Sequence, residues 1–562
     1  MTHKIYAPNI HLFAFHLRNA SSSDSQPDTD YNSELLWHKY DQICAKFQIQ
    51  QKLDLKDVAE DSRIALLKGA TKDNILLPLE GKLPVNNGKE IRITGQACPL
   101  QIYDSYALGL NIRIPERDNN QKTEDVDLTV FKNFNPDECF LPSNINSSLG
   151  QILLLTAWLP HKEQQDSHLW KEIADQCVQN FLGENDQDKF PALYQEGQLF
   201  DSPIFEYGNP YKSQHYGQIF VWLFLGEEVN GNYGARAEEN FCFFYQYFID
   251  LFFYRQKVIR AYQLSRGVYS DVKQQYQKIK QIINETTEIQ DNQSLQRFSD
   301  ELTSLPKAAS PLNPPILGDF NSSSPQNWGA RGANNSLQSW KARGANNSPQ
   351  NWGARGAKVA VLSQAELLDF KKKLRILPKL DLNYSDWLRQ LERYSLTIKT
   401  NGHNYSEKLQ QLQEKLPKDE DLSFLSFFSD QHSCTYQEQI QRDLSYFAHS
   451  SGLLDKAISS IRGIVEIEQA EREKRQQLWI TFVGTGLAVS GISSQSDAKQ
   501  PLEVILTKLD PKGSLDCPKP EAGLYPCLSY SVVFVLFHVL LGVGVGAIAA
   551  FIVDRMIHRG SK

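Results

Sequence analysis

The first 450 residues of this 562-residue sequence contain no closely spaced cysteine pair; Cys44, Cys98, Cys139, Cys177, Cys242 and Cys434 stand far apart. That spacing excludes a paired-ligand zinc motif and a two-cysteine redox motif, and leaves buried free thiols as the expectation. Basic charge is not in excess either. With 59 Lys and Arg against 66 Asp and Glu, a net charge of −7 and an isoelectric point near 6.0, the chain shows no electrostatic footprint for nucleic acid, and no nucleic-acid partner is expected. His-Glu-x-x-His, Gly-x-Ser-x-Gly, the Gly-x-x-x-x-Gly-Lys-Ser/Thr phosphate loop and a complete dinucleotide fingerprint are all missing. No catalytic residue and no cofactor are therefore expected, the reading is that of a non-enzyme, and a metal site stays unknown. The opening segment Met1-Thr-His-Lys-Ile-Tyr-Ala-Pro lacks a small-residue cleavage site, so the bulk of the chain is expected in the cytoplasm.

What the chain does have is core-forming material: 41% apolar residues, with 29 Phe and 23 Tyr, enough for several folded domains. Ile10 to Leu17 reads as a strand, Asn19 to Asp30 as a polar loop and Glu34 to Phe47 as a helix. Ile91 to Thr94 and Leu108 to Ile114 alternate like a half-buried sheet. The runs Gln151 to Leu159 and Gln218 to Leu225 are continuous apolar strands, with a helix at Lys171 to Leu182 between them. Strands interleaved with helices imply an α/β domain with a mixed sheet. Gly226 to Gly234 follows a strand and precedes a helix; it reads as an ordinary loop, with a ligand cradle as the minor alternative. Ala237 to Tyr262 carries aromatics on nearly every face, but charges leave too short an apolar run for a membrane span, so it reads as a core helix.

Tyr269 to Glu285 continues as an amphipathic helix. Residues 324 to 357 repeat every twelve residues, with Trp328, Trp340 and Trp352 in register; without an aliphatic face the repeat is expected to be a flexible insertion, base stacking by its Arg and Trp being the minor alternative. Helical spacing returns from Leu362 to Gln413, with breaks expected at Pro378 and at Asn401-Gly402, and a final helix opens near Gln437. Within it Leu454, Ile458, Ile461 and Val465 form an apolar stripe on a highly charged helix, the expected oligomer seam, although helices after Leu362 offer intrachain partners.

Two charge-free runs close the chain. Gln476 to Ser496 and the more hydrophobic Leu528 to Val553 are long enough to read as membrane spans. Gly484, Gly486, Ser490 and Gly491 in the first, and Gly542 and Gly546 in the second, are small residues expected to line a pore or let helix backbones approach. His538 lies inside the second run and is expected to face protein or water. Cys517 and Cys527 lie between the runs, a candidate disulfide if that loop is external.

A cytoplasmic α/β domain, a long helix entering a first span, a short loop, a second span and the basic tail Asp554 to Lys562 together resemble the CorA family of divalent-cation channels. The family's Gly-Met-Asn motif falls where this chain reads Ser490-Gly-Ile-Ser-Ser-Gln495, so Gly491 alone matches. The expected fold is an α/β cytoplasmic domain plus a long-helix stalk and two C-terminal transmembrane helices. The boundaries are an α/β domain at 1–235, an aromatic core helix and stalk start at 236–304, a linker with the repeat at 305–357, a helical stalk at 358–475, a transmembrane helix at 476–496, an external loop at 497–527, a second transmembrane helix at 528–553 and a tail at 554–562. The resemblance implies a multi-pass, ion-conducting or membrane-perturbing homo-oligomer with both termini cytoplasmic, partnered by membrane lipid and by a divalent cation or cytoplasmic ligand. The alternative is a tethered sensor or scaffold, or an effector of a bacterial conflict system.

Overall fold

The computed structural model describes residues 3–18, 35–58, 61–71, 74–85, 90–119, 121–183, 190–210, 216–229, 232–288, 364–418, 420–495, 535–549 and 551–552. The polar loop at Asn19 to Asp30, the twelve-residue repeat, the segment at 497–527 with Cys517 and Cys527, and the tail at 554–562 lie outside these residues. By contact clustering the chain forms two units, one of residues 1–277 and 382–451, the other of 278–381 and 452–562.

The first unit is built on strands β1 (Lys4–Leu17), β2 (Arg63–Ala65), β3 (Leu77–Pro84), β4 (Glu90–Ile102), β5 (Ser105–Arg113), β6 (Arg117–Asp118), β7 (Gln121–Lys122), β8 (Val126–Asp127), β9 (Gly150–Trp158), β10 (Leu193–Leu199), β11 (Ser202–Tyr207), β12 (Gln218–Phe224), β13 (Glu227–Val229) and β14 (Asn232–Gly234). The main sheet runs β10-β11-β12-β9-β1-β5-β4-β2, with β3 on β4 and β8 on β1. Within that sheet only β9 and β12 pair in parallel, Gln218 standing opposite Ile152 and Phe224 opposite Trp158. Both strands are buried throughout, which is why they read as continuous apolar runs instead of alternating ones.

Helices cover the two faces differently. Ile10, Leu12 and Ala14 of β1 belong to an aliphatic core shared with α1 (Leu35–Lys46), α2 (Val130–Asn133), α3 (Pro142–Ile145) and α5 (Ser167–Leu182), which follows the single turn α4 (His161–Gln164). Alternation sends His11, Phe13 and Phe15 to the other face. There α6 (Arg236–Phe243) and α7 (Tyr245–Glu288) meet them, with ring centroids 4.9 Å apart for His11 and Phe241, 5.0 Å for Phe13 and Phe252, and 5.6 Å for Phe15 and Phe253. The aromatic helix is therefore a core helix, as its charges implied.

Beyond it come α8 (Gln364–Gln413), the short α9 (Ser423–Phe427), a π-helical turn at Phe428–Ser433 and α10 (Cys434–Gln495). The breaks expected at Pro378 and Asn401-Gly402 do not occur; α8 is continuous. Its buried residues explain this: Phe370, Leu377, Tyr384, Leu391, Ile398, Tyr405 and Leu412 recur every seven positions, a coiled-coil seam that holds the helix through a proline whose own side chain is exposed. Gly402 serves close approach, since a Cβ there would clash with Ser433 Oγ. α10 shows the same spacing at Ile440, Phe447, Leu454, Ile461 and Glu468, in step with Ser433 at the end of the π-helical turn. In the first unit three helices converge on Phe447: Tyr269 of α7 at 5.5 Å between rings, and Tyr384 of α8, whose hydroxyl donates to the Phe447 carbonyl at 2.9 Å.

The two expected spans require correction. Among the described residues no helix is long and apolar enough to cross a membrane. Gln476 to Gln495 is helical as the end of α10, but Thr481, Gly484, Thr485, Gly486, Ser490, Gly491, Ser493 and Ser494 dilute its apolar side chains. Of 528–553 the described helix covers 535–549 and 551–552, and the rest of that run lies outside the described residues. The fold with two C-terminal transmembrane helices, the membrane and transmembrane assignments, and the multi-pass localisation with both termini cytoplasmic are therefore overturned. The α/β sheet domain and the long helices stand.

Candidate functional site

The same tripeptide, Gly150-Gln151-Ile152 and Gly217-Gln218-Ile219, leads into β9 and β12, Gly150 as the first residue of its strand and Gly217 just before its own, and because the strands are parallel both starts lie at one end of the sheet. Both glycines have positive φ, 104° and 70°, a conformation that L side chains rarely adopt. Space demands them too: a Cβ on Gly150 would stand 2.7 Å from Gln256 Oε1, and one on Gly217 3.0 Å from Pro142 Cγ. Over this end pass Gln256, Ile259, Arg260 and Gln263 of α7, spaced as one helix face.

These groups enclose a cavity of about 260 Å³, lined also by Asn146, Ser147 and Asn209. Gln256 organises it by donating from Nε2 to the Gln151 carbonyl at 3.2 Å and to Gln218 Oε1 at 2.9 Å, while Gln151 Nε2 donates to the Phe140 carbonyl at 2.6 Å. One acceptor and one donor remain unused. Gln151 Oε1 and Gln218 Nε2 are buried without a hydrogen-bond partner, in residues 4% and 7% exposed. A buried polar atom left unpaired costs about 1–3 kcal/mol, and these two stand on opposite faces of the sheet, Gln151 beside Ala14 and Phe140 and Gln218 beside Ile152 and Gln256.

One residue before Gln256, Arg255 takes the opposite role. Its guanidinium pairs with Glu206 of β11, both groups almost wholly buried, and lies 4.5 Å from the Phe428 ring centroid and 5.3 Å from that of Phe220. Burial raises the Glu206 carboxyl above its usual range, and Arg255 only partly offsets it. Burial is the largest single influence on Arg255 and acts to lower it, but Glu206, Tyr405 and Tyr436 together outweigh it and the net shift is upward. Beside this pair, burial, with Arg255 second, lowers His432 to about 3, so the imidazole in the π-helical turn is neutral at physiological pH. The pair fixes α7 against the sheet.

A third cluster lies where α6 meets β5. Burial and then the neighbouring Glu116 raise Glu238 to about 7, against the pull of Arg113, which is 4.0 Å from Glu238 and 3.8 Å from Glu116. Among the described residues no group of His, Cys, Asp and Glu could hold a metal ion.

The residues singled out from the sequence fall elsewhere. Leu454, Ile461 and Val465 are buried and Ile458 half-buried within one copy of the chain, so that stripe is covered without a second subunit. Gly486 meets Gly542, whose carbonyl oxygen would be 3.0 Å from a Cβ, and Gly546 lies against the Phe482 backbone; these four belong to one close helix contact. Gly484 and Gly491 face open space, Ser490 is placed by its backbone alone, and His538 is buried. Gly226 to Gly234 contains the β13-β14 hairpin, Glu228 paired with Tyr233, not a cradle opening a helix. Cys44, Cys98, Cys139, Cys177, Cys242 and Cys434 are free thiols. The amide cavity was missed, and its signal was the Gly-Gln-Ile that opens both apolar strands. No known family, curated protein or solved structure matches the chain.

Proposed function

We propose that the protein is a small-molecule sensor whose sheet unit binds a polar ligand in the amide cavity, with α7 carrying the consequence of binding. The observation behind this reading is the cavity of about 260 Å³ at the end of the parallel strands β9 and β12, lined by Asn146, Ser147, Asn209, Gln256, Arg260 and Gln263. Four residues of α7 line the cavity, and the same helix supplies residues to both units. A ligand held in the cavity against those four residues therefore biases the position of that helix by as much as its affinity for two states differs. Ion conduction, the other reading suggested by the CorA-like layout, needs spans that the described helices do not supply.

Self-association of the helical unit goes with this reading. Trp479, Ile480 and Leu487 are 67%, 71% and 68% exposed, and Leu536, Leu540 and Ile548 are likewise solvent-facing, large apolar side chains of the kind that mark contact surfaces when they cluster. A second copy presenting the same face would cover it. Mass photometry of the purified chain should give a dimer or higher species that Leu487→Asp with Leu540→Asp converts to monomer; flotation with phosphatidylcholine vesicles and no change of mass would overturn self-association.

The sensor reading is tested by thermal-shift screening of a metabolite library against the full chain and against Ser147→Phe, which fills the cavity from an exposed loop. Compounds that stabilise the wild type and not the filled variant are the expected result. Stabilisation of both alike by every hit would place binding elsewhere and sink the reading.

A further inference from the structure

Within the first unit, α8 packs against α10 so as to leave a groove of about 480 Å³, lined by Leu388, Glu392, Leu396 and Lys399 of α8 and by Leu444 and Ala448 of α10. Its floor is fixed, because Gln441 Nε2 donates across it to Ser395 Oγ at 2.8 Å. α7 meets the two helices at Phe447 and adds no residue to the lining. Leu396 is 63% exposed, whereas Leu391 and Ile398, on the seam face of the same helix, are fully buried. An apolar side chain standing at the lip of such a groove is suited to enter a second groove of the same kind, as a knob enters a hole.

The charges decide whose groove that is. Glu392 and Lys399 are both exposed and lie two turns apart on one side of α8, about 10 Å along the axis at about 1.5 Å per residue. Neither has an ion-pair partner among the described residues; Arg389, which could reach Glu392 from the preceding turn, pairs with Asp386 at 3.2 Å. Read in the opposite direction, Glu followed by Lys becomes Lys followed by Glu. Two antiparallel copies of α8, related by a two-fold axis between Ser395 and Leu396, therefore set Glu392 of each against Lys399 of the other, and Leu396 of each beside Leu444 in the other's groove. A partner of uniform charge would satisfy one of these two residues and repel the other. We propose that the groove is a contact between two copies of the chain, in which α8 and α10 of each complete a four-helix arrangement. The contact is independent of the ligand cavity and of the C-terminal helices, and a patch of a few turns on two helices belongs with weak, concentration-dependent associations.

The test is sedimentation velocity of the full chain over a range of micromolar concentrations at low ionic strength, in a background of Leu487→Asp with Leu540→Asp that removes association through the C-terminal helices. That background, monomeric at the nanomolar concentrations of mass photometry, should dimerise as concentration rises. Glu392→Lys alone and Lys399→Glu alone should each weaken the dimer roughly tenfold or more, because each reversal turns two attractive pairs per dimer into two repulsive ones, with no change in melting temperature. The double reversal Glu392→Lys with Lys399→Glu restores the complementary order and should restore dimerisation. An equimolar mixture of the two single variants should form the heterodimer, in which both pairs are again Glu against Lys. A background chain that stays monomeric throughout the range would overturn the contact and leave the groove to another occupant. A dimer indifferent to both single reversals, or one that the double reversal fails to restore, would place self-association on another surface.

Discussion

The two faces of the main sheet bury large side chains by opposite means. Toward α5 the core is aliphatic and phenylalanine-rich, and its buried Asn135 is satisfied, donating to the Phe181 carbonyl at 3.2 Å and accepting from Phe140 N at 3.2 Å. Toward α7 the layer is aromatic and polar: His11 has both ring nitrogens unpaired, and Trp222 Nε1, Glu206 Oε2, Arg255 Nε and Gln218 Nε2 are unpaired as well. Packing accounts for the first face apart from Gln151 Oε1, buried and unpaired on the side of Ala14 and Phe140. The second retains groups that cost stability, and buried polar groups of that kind are kept where they fix one arrangement or meet a ligand. The sheet is thus a scaffold on one side and a working surface on the other.

The sharpest way to break this contrast is to neutralise its costliest element. Glu206→Leu leaves Arg255 charged, buried and unpaired, and should destabilise the sheet unit by about 3–5 kcal/mol. The double variant Glu206→Leu with Arg255→Met should recover most of that loss, because an apolar pair of similar volume no longer needs desolvated charge. Urea unfolding followed by tryptophan fluorescence measures both. A double variant as unstable as the single one would mean that the pair is required for folding, not merely tolerated.

A similar loss, about 3–5 kcal/mol, is expected in the second unit from Ile461→Asp, which places a charge at a position 2% exposed. The comparison sharpened here is between seam and subunit interface. Since one chain already buries Ile461, limited proteolysis should show residues 452–495 becoming cleavable while the sheet unit resists. Dissociation of an oligomer with the protease pattern unchanged would assign the stripe to an intersubunit contact after all.

The polar face should also reveal itself in the pH dependence of stability. Glu238 has a folded pKa near 7 against an ordinary 4.5, so between those values the folded state binds more protons than the unfolded one, and its contribution is lost as pH rises through 7. The 2.5-unit difference corresponds to about 3 kcal/mol at most. His11 works in the other direction. Burial, then the charge of Arg113, lowers it from 6.5 to about 3, so below 6.5 the unfolded state binds more protons and stability falls as pH drops toward 3. Melting temperature should peak between these limbs, Glu238→Gln should flatten the alkaline limb and His11→Phe the acid one. A profile unchanged by both substitutions would refute the assignment.

How much of this was legible in the sequence follows the same division. Strands such as β9 and β12 and the amphipathic α5 are dictated by local apolar pattern, and the starting sequence placed them within a few residues. The span readings failed because charge-free length was read as a membrane signal, whereas small and hydroxylated residues from Thr481 to Ser494 lower the hydropathy of the first run. The expected breaks in α8 failed because Pro378 and Gly402 were weighed locally, without the seven-residue recurrence from Phe370 to Leu412 that overrides them. The stripe at Leu454 to Val465 was seen, but sequence carries no mark of whether its partner is α8 or another copy. The cavity depends on Gly150 and Gly217, more than sixty residues apart in sequence, starting adjacent parallel strands. Such juxtapositions are created by topology.

The smallest expected effect lies on the aliphatic face and checks that it is ordinary. α5 is capped by Asp166, whose Oδ1 accepts from His168 N at 3.1 Å, and it ends at Gly183 in the left-handed conformation with φ 63°. Asp166→Ala removes one side-chain acceptor from a helix terminus that has other means of solvation, so the loss should be about 1 kcal/mol. Gly183→Ala should cost a similar amount, since a Cβ there meets nothing within 4 Å and the penalty is confined to backbone conformation. The two sit at opposite ends of one helix and share no partner, so their effects should add within about 0.5 kcal/mol. Ligand affinity in the amide cavity should be unaffected by either variant. If Asp166→Ala weakened ligand binding while costing only its capping energy, the two faces would be coupled through the sheet, and the separation of scaffold from working surface would fail.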